Sequence, residues 1–251
     1  INYTNPMLGR VGARVTNQTT WRGKIDDVSV FNCALNASEI VDMYNSSSYC
    51  EPRTPCEPMA QYCFNGNTDD ESGNAQHGTN NNAQLNTGRN GVFNTAYSFD
   101  SSGEFIEIPS DSILLDNFTY ASWVKPSVIP SFGESYTILS VGGPVKDQFM
   151  YLADAAGGKG FCFSSYLTDG SSYTVCSDEL PNTDEWYHVA STRDNDTIKI
   201  FVNGVMKAKR TVYGLGAGYA SPVTPKIGAR YQNTQTWQGS IDDLSIYPCT
   251  F

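Results

Sequence analysis

Apolar and polar side chains alternate in short runs over most of the chain, at 61–64, 96–100, 105–108, 118–125, 137–141, 149–152, 161–165, 173–176, 186–193, 197–202 and 205–211. Successive side chains of a strand point to opposite faces, so this pattern predicts strands with one buried side. Turn residues separate the runs. Many short strands with almost no helix predict an all-β, two-sheet antiparallel sandwich or jelly roll. Asn203-Gly204 between two such runs predicts a type I′ hairpin, whose central positions both need positive φ. Asp169-Gly170 predicts another turn, which sets Cys162 and Cys176 nearly opposite one another.

Residues 35–44 depart from this pattern. Their apolar positions recur at helical spacing, with Asn36 as N-cap and Glu39 three places on as in a capping box, so one short helix is predicted there. A serine run and a Cys/Pro-rich stretch follow at 45–58, with too few apolar residues to fold and too much proline to pair. That stretch predicts a linker, and a Cys50–Cys56 bridge would close a small loop in it.

One stretch occurs twice. Residues 237–247 read Trp-Gln-Gly-Ser-Ile-Asp-Asp-Leu-Ser-Ile-Tyr, and residues 21–31 read Trp-Arg-Gly-Lys-Ile-Asp-Asp-Val-Ser-Val-Phe. The match extends without a gap to Val-Gly-Ala-Arg at 11–14 over Ile-Gly-Ala-Arg at 227–230, Asn17 over Asn233, Thr20 over Thr236 and Cys33 over Cys249. A spacing of roughly two hundred residues is far longer than a solenoid unit and marks tandem domains. Residues 1–44 are therefore expected to be the closing strands and helix of a preceding repeat, 45–58 a linker, and 59–251 a complete domain. Two strands cannot bury a core alone. Those within 9–31 are expected to complete a sheet in another copy, by strand addition or as part of a continuous repeat, linking units head to tail into a filament.

Composition narrows the partners. Sixteen Lys and Arg against 26 Asp and Glu give a net charge of -10, which lacks the basic footprint that nucleic acid requires. No apolar run is long enough to span a bilayer as a helix. Seven cysteines, with Asn-X-Ser/Thr sequons at Asn2, Asn17, Asn36, Asn45, Asn117 and Asn195, point to a secreted or cell-surface glycoprotein. Asn233, the counterpart of Asn17, is followed by Thr-Gln and is not a sequon.

In order along 59–247 the chain carries Tyr-Cys-Phe-Asn-Gly-Asn at 62–67, Asp-Glu-Ser-Gly at 70–73 with His77-Gly78, Ala-Tyr-Ser-Phe-Asp at 96–100, Phe-Ile-Glu-Ile at 105–108, Phe-Thr-Tyr-Ala-Ser-Trp-Val-Lys-Pro at 118–126, Trp-Tyr-His-Val-Ala at 186–190, Ile-Lys-Ile-Phe-Val-Asn-Gly at 198–204, and the 227–230 and 239–247 motifs. This series resembles the laminin-G-like family with the concanavalin A-type jelly roll. The resemblance implies a sandwich whose first and last strands are neighbours. It thereby implies a Cys63–Cys249 bridge beside Cys162–Cys176, with Cys33 left over. It also brings Asp70 near Asp242 and Asp243, three oxygen donors suited to calcium, the candidate cofactor.

The fold hosts lectins, adhesion modules, hydrolases and spacers, so the chemistry must come from the residues. Glycoside hydrolysis needs a carboxylate pair across the scissile bond. The Glu-X-Asp-X-X-Glu pattern of concanavalin-type glucanases is absent, and Glu104-Phe-Ile-Glu107 belongs to an ordinary strand. His188 reads as a strand residue, His77 lies in an Asn/Gly-rich loop, and zinc lacks paired Cys and His. No catalytic residue is expected. Most aromatics read as core, which leaves Tyr136, Tyr166, Tyr173, Tyr213 and Tyr219 as candidates for glycan stacking. The first reading is a non-catalytic, glycosylated extracellular module serving as a repeating structural or adhesive unit, with copies of itself as partners. The alternative is a carbohydrate-binding module, and a glycoside hydrolase comes last.

Overall fold

A computed structural model describes residues 22–24, 56–109, 117–143, 146–166, 171–212 and 223–250. The chain divides between Pro55 and Cys56. The predicted helix at 35–44, the Cys50 and Cys33 thiols, the strands within 9–31 apart from residues 22–24, and Asn2, Asn17, Asn36 and Asn45 lie outside the described residues.

Cys56–Phe251 holds strands β1 (Ala60–Tyr62), β2 (Thr79–Asn81), β3 (Gln84–Asn86), β4 (Ala96–Phe99), β5 (Phe105–Glu107), β6 (Phe118–Pro126), β7 (Glu134–Gly143), β8 (Lys146–Ala155), β9 (Gly158–Tyr166), β10 (Ser172–Cys176), β11 (Tyr187–Asp194), β12 (Thr197–Val202), β13 (Val205–Thr211), β14 (Lys226–Ile227) and β15 (Gly239–Tyr247). They form two antiparallel sheets, the two-sheet jelly-roll sandwich that alternation predicts. One runs β13-β12-β11-β6-β15-β4-β3 with β1 also on β15, and the other β10-β9-β8-β7-β14-β5-β2. Asn203 and Gly204 both have positive φ, as a type I′ turn requires. Strands β2 and β3 escape the alternation rule because Thr-Asn-Asn and Gln-Leu-Asn bury neither face.

Tyr62, Phe64, Phe99, Phe118, Tyr120, Ile138, Phe161, Phe163 and Trp237 fill the space between the sheets with at most 1 % exposure. Truncating a side chain so placed typically costs about 3–5 kcal/mol. Trp237 explains why the duplicated motif opens on tryptophan: its amide donates to Gly228 O at 2.7 Å and its indole Nε1 to Ser240 O at 3.3 Å. Gly228 has φ 83°, and a Cβ there would sit 2.4 Å from the Phe99 ring, so the Gly of the 227–230 motif is obligatory. Gly239 has φ 139°, and its counterpart Gly23 in the first copy of the motif has φ 152°.

The register of β1 on β15 corrects the expected cysteine pairing. Ala60 faces Ile246 and Tyr62 faces Leu244 in antiparallel sense. Continuing that register brings Cys63 level with Asp243, whereas Cys249 runs on past β15 to the level of Glu57. Cys249 is accordingly bridged to Cys56, with Cα atoms 6.3 Å apart, and Cys63 is a free thiol. The expected Cys63–Cys249 and Cys50–Cys56 pairs are therefore not formed. First and last strands are neighbours as the resemblance implies, but the cysteine in reach precedes β1 instead of following it. Cys162 and Cys176 face each other directly in the β9–β10 ladder and are bridged, Cα atoms 4.1 Å apart.

Candidate functional site

The outer face of the seven-stranded sheet carries a polar and aromatic array set by three rows of cross-strand neighbours. Side chains on one face recur every second residue, so opposite partners share that face. One row crosses the whole sheet: Thr174, Ser164, Phe149, Ser140, Lys226, Glu107 and Thr79. A second holds the Cys162–Cys176 bridge, Tyr151 and Thr137. In the third, extrapolating the β8–β9 register by one residue sets Asp147 beside Tyr166. The rings of Phe149 and Tyr151 stack at 4.5 Å, and those of Phe149 and Tyr166 at 6.2 Å.

The segment between β14 and β15 folds back over these rows. Thr137 N donates to Gln235 O at 2.7 Å, and Thr236 bridges to Thr137. Lys226 Nζ donates to Asn233 Oδ1. Arg230 is thereby placed with its guanidinium 4.2 Å from the Phe149 ring centroid, its Nε donating to Asp147 Oδ2 at 3.0 Å. Its remaining nitrogens donate to Gln235 Oε1 at 3.2 Å and to Tyr166 Oη at 3.5 Å. Gln235 is held in turn by donating from Nε2 to Ser135 Oγ at 2.6 Å. Beside the stack, the hydroxyls of Tyr151, Ser164 and Thr174 form a chain with links of 2.9 and 2.7 Å.

Asp147 is 2 % exposed. Burial pushes its carboxyl up to about 6, against the opposing pull of the Arg230 charge and of the Arg230 and Ser140 hydrogen bonds. Burial likewise raises the Tyr151 phenol. The face thus presents half-buried Tyr151, Tyr166 and Tyr231 around an arginine whose charge is balanced from beneath. Its carboxylates are committed: Asp147 to Arg230 and Ser140, and Glu107, farther along the same row, to Lys226 at 3.6 Å.

The family model of the concanavalin A-like lectin/glucanases superfamily matches residues 99–251, more than half of the chain and the part that carries this face. The chain belongs to that superfamily. No curated protein matches the sequence itself. Among solved structures it is similar to domain 4 of AbnA, a GH43 extracellular arabinanase from Geobacillus stearothermophilus, solved in complex with arabinotriose, at TM-score 0.62 and 22% identity over 76% of this chain and 92% of that one. It is also similar to the botulinum neurotoxin serotype G binding domain, at TM-score 0.62 and 16% identity over 77% of this chain. A third likeness is to the binding domain of Paraclostridial Mosquitocidal Protein 1, at 0.57 and 16% over 73%. The chain spans about half the length of the toxin domains, 48% and 46%. At these identities the likeness concerns the fold.

Of the tyrosines expected in glycan stacking, this superfamily member places Tyr166 on the face. Tyr136 and Tyr173 instead pack against the core between the sheets, a correction that follows from parity, since Tyr136 lies opposite the inward-facing Leu152 of β8, and Tyr173 lies opposite Ser165, which shares the inward face of β9 with Phe163. Tyr213 and Tyr219 lie outside the described residues. Phe149, Tyr151, Arg230, Tyr231 and Gln235 were not expected. The alternation of 147–151 could have revealed Phe149 and Tyr151, since Met150 and Leu152 claim the inward face. Arg230 stood in plain view as the last residue of a duplicated motif.

The expected calcium donors do not fit a cation. Asp70 accepts from Gln61 N, Ser72 N and Oγ, and Gln76 N at 2.8–3.0 Å, as a turn-capping carboxylate does. Burial alone would raise its carboxyl, but these donors outweigh it and hold it below the usual value. Asp242 and Asp243 are bound to Arg89. Among the described residues no group of three or more His, Cys, Asp or Glu could hold a metal ion. His188 lies against Trp123 on the other sheet, its imidazole pKa lowered by burial and by Arg89. No described helix is long and apolar enough to cross a membrane.

Proposed function

We propose that residues 56–251 form a non-catalytic carbohydrate-binding module of a secreted or cell-surface glycoprotein, with the outer face of the seven-stranded sheet as its binding surface. The observation that carries this reading is Arg230, stacked on Phe149 and neutralised by Asp147 among Tyr151, Tyr166 and Gln235. A sugar ring has an apolar C–H face and a rim of hydroxyls, and such a surface pairs flat rings with fixed donors and acceptors. The arabinotriose complex of a structurally similar domain supports trying pentose oligomers first. Glycans on Asn117 and Asn195 would not cover this face. Those residues are hydrogen-bonded to each other at 2.6 Å, beside the ends of β6 and β11 in the opposite sheet.

Titration calorimetry against a panel of neutral oligosaccharides, arabinotriose included, tests the reading. Arg230→Gln and Tyr166→Ala should each weaken binding at least tenfold. Unchanged affinity in both, or no binding to any of the panel, would sink it. A second reading, as a repeating structural or adhesive unit, is favoured by the duplication of 237–247 at 21–31. Concentration-dependent assembly into filaments, seen by light scattering and electron microscopy, would support it.

A further inference from the structure

Arg89, in the loop between β3 and β4, grips two consecutive residues of the closing strand. Its backbone N donates to Asp242 Oδ2 at 3.0 Å, and its Nε and Nη2 meet Asp243 Oδ2 at 2.8 and 2.7 Å. Consecutive residues of a regular strand face opposite ways. Here the ladder slips between Asp242 and Ser245, and Asp243 has φ 45°, so both carboxylates reach the same loop. Gly88 permits the close approach, because a Cβ there would lie 2.9 Å from Asp242 Oδ2 and 2.2 Å from Thr95 Oγ1. The guanidinium is backed by the Trp123 ring, 5.1 Å to its centroid.

We propose that Arg89 is the resident cation of this module: it engages Asp242 and Asp243, two of the three carboxylates that the family resemblance offers to calcium, and it makes the closing strand independent of metal. A bulged strand that turns two carboxylates to one point would otherwise suffer their mutual repulsion. An oxygen-loving divalent ion would relieve it, but a planar guanidinium anchored through its own backbone relieves it without dehydrating an ion. Arg89 thereby pins the loop from Thr87 to Thr95 onto β15, the strand shared by β1, β4 and β6.

The test is thermal unfolding of the full chain in EDTA and in millimolar calcium chloride. The wild type should melt at the same temperature in both. Arg89→Ala should melt about 2–6 °C lower, and calcium should recover part of that loss by entering the vacated pair. Arg89→Lys keeps the charge without the fork and should fall between the two, which keeps the proposal testable if the alanine variant does not fold. Calcium stabilisation of the wild type that Asp243→Asn abolishes would overturn the proposal. So would an unchanged melting temperature in Arg89→Ala, or a calcium response absent from it.

Discussion

Arg230 Nε lies 3.0 Å from Asp147 Oδ2, and this is a buried pair, with the carboxylate side chain 2 % and the guanidine 20 % exposed. Removing one member of such a pair strands the other charge in a medium that solvates it poorly. Arg230→Met should therefore destabilise the module by about 3–5 kcal/mol at pH 7. The deficit should shrink at pH 5, where Asp147 can take a proton, and Asp147→Asn should rescue part of it. Urea unfolding of the two single variants and the double variant measures each of these outcomes.

The same carboxyl sets a pH dependence of known sign. Its folded-state value is raised to about 6 from 3.8 by burial, so between these values the folded protein holds a proton that the unfolded chain has lost. Stability from this group is full below about pH 4 and falls as pH rises through 6, by up to about 3 kcal/mol at 1.36 kcal/mol per unit. The Asp147→Asn profile, measured from pH 4 to 7 and subtracted from that of the wild type, should isolate this slope. A difference that rises with pH would contradict it.

The cysteine framework is directly checkable. Peptide mapping without reduction should join Cys56 to Cys249 and Cys162 to Cys176. Cys63 should remain alkylatable yet slow near neutral pH. Burial, together with Glu71, Asp243 and Asp242, pushes its thiol up to about 11, and the thiolate is the nucleophile. Its labelling rate should climb steadily from pH 8 to 11. Replacing both Cys56 and Cys249 by serine opens a link across 193 residues and should cost about 3–5 kcal/mol.

Alternation and turn residues made the sandwich legible in the sequence, because a half-buried strand must declare its inward face every second residue. The same rule failed at β2 and β3, which bury little and therefore leave no pattern. The proposed binding face was harder to read. It lies on the outward positions of β7 to β10, where Phe149 and Tyr151 resemble core residues in composition and only their parity with Met150 separates them. Arg230 reaches the face through a loop, and no period along the chain announces a loop that folds back. The family resemblance likewise suggested calcium at Asp70, Asp242 and Asp243, while the partner of the last two, Arg89, lies more than 150 residues earlier in the chain, a separation no local pattern spans.

A last prediction joins the duplicated motif to the proposed face. Asn233 sits at its edge with Oδ1 accepting from Lys226, and it is followed by Thr234 and Gln235, whereas its counterpart Asn17 heads a complete Asn-Gln-Thr sequon. Gln235→Thr would complete the sequon at Asn233, and expression through a secretory pathway should then add a glycan there, visible as added mass on the Asn233 peptide. A branched glycan anchored beside Arg230 would fill the space a ligand must enter, so sugar binding should be lost. Since Gln235 itself accepts from Arg230, Gln235→Ala serves as the reference for its missing hydrogen bonds. Enzymatic trimming of the Gln235→Thr glycan should return affinity to the Gln235→Ala level, and the same treatment of the wild type, whose Asn117 and Asn195 sequons lie beside the other sheet, should change its affinity less than about twofold, under half a kcal/mol. Full ligand affinity in the glycosylated Gln235→Thr protein would place the binding surface elsewhere on the molecule.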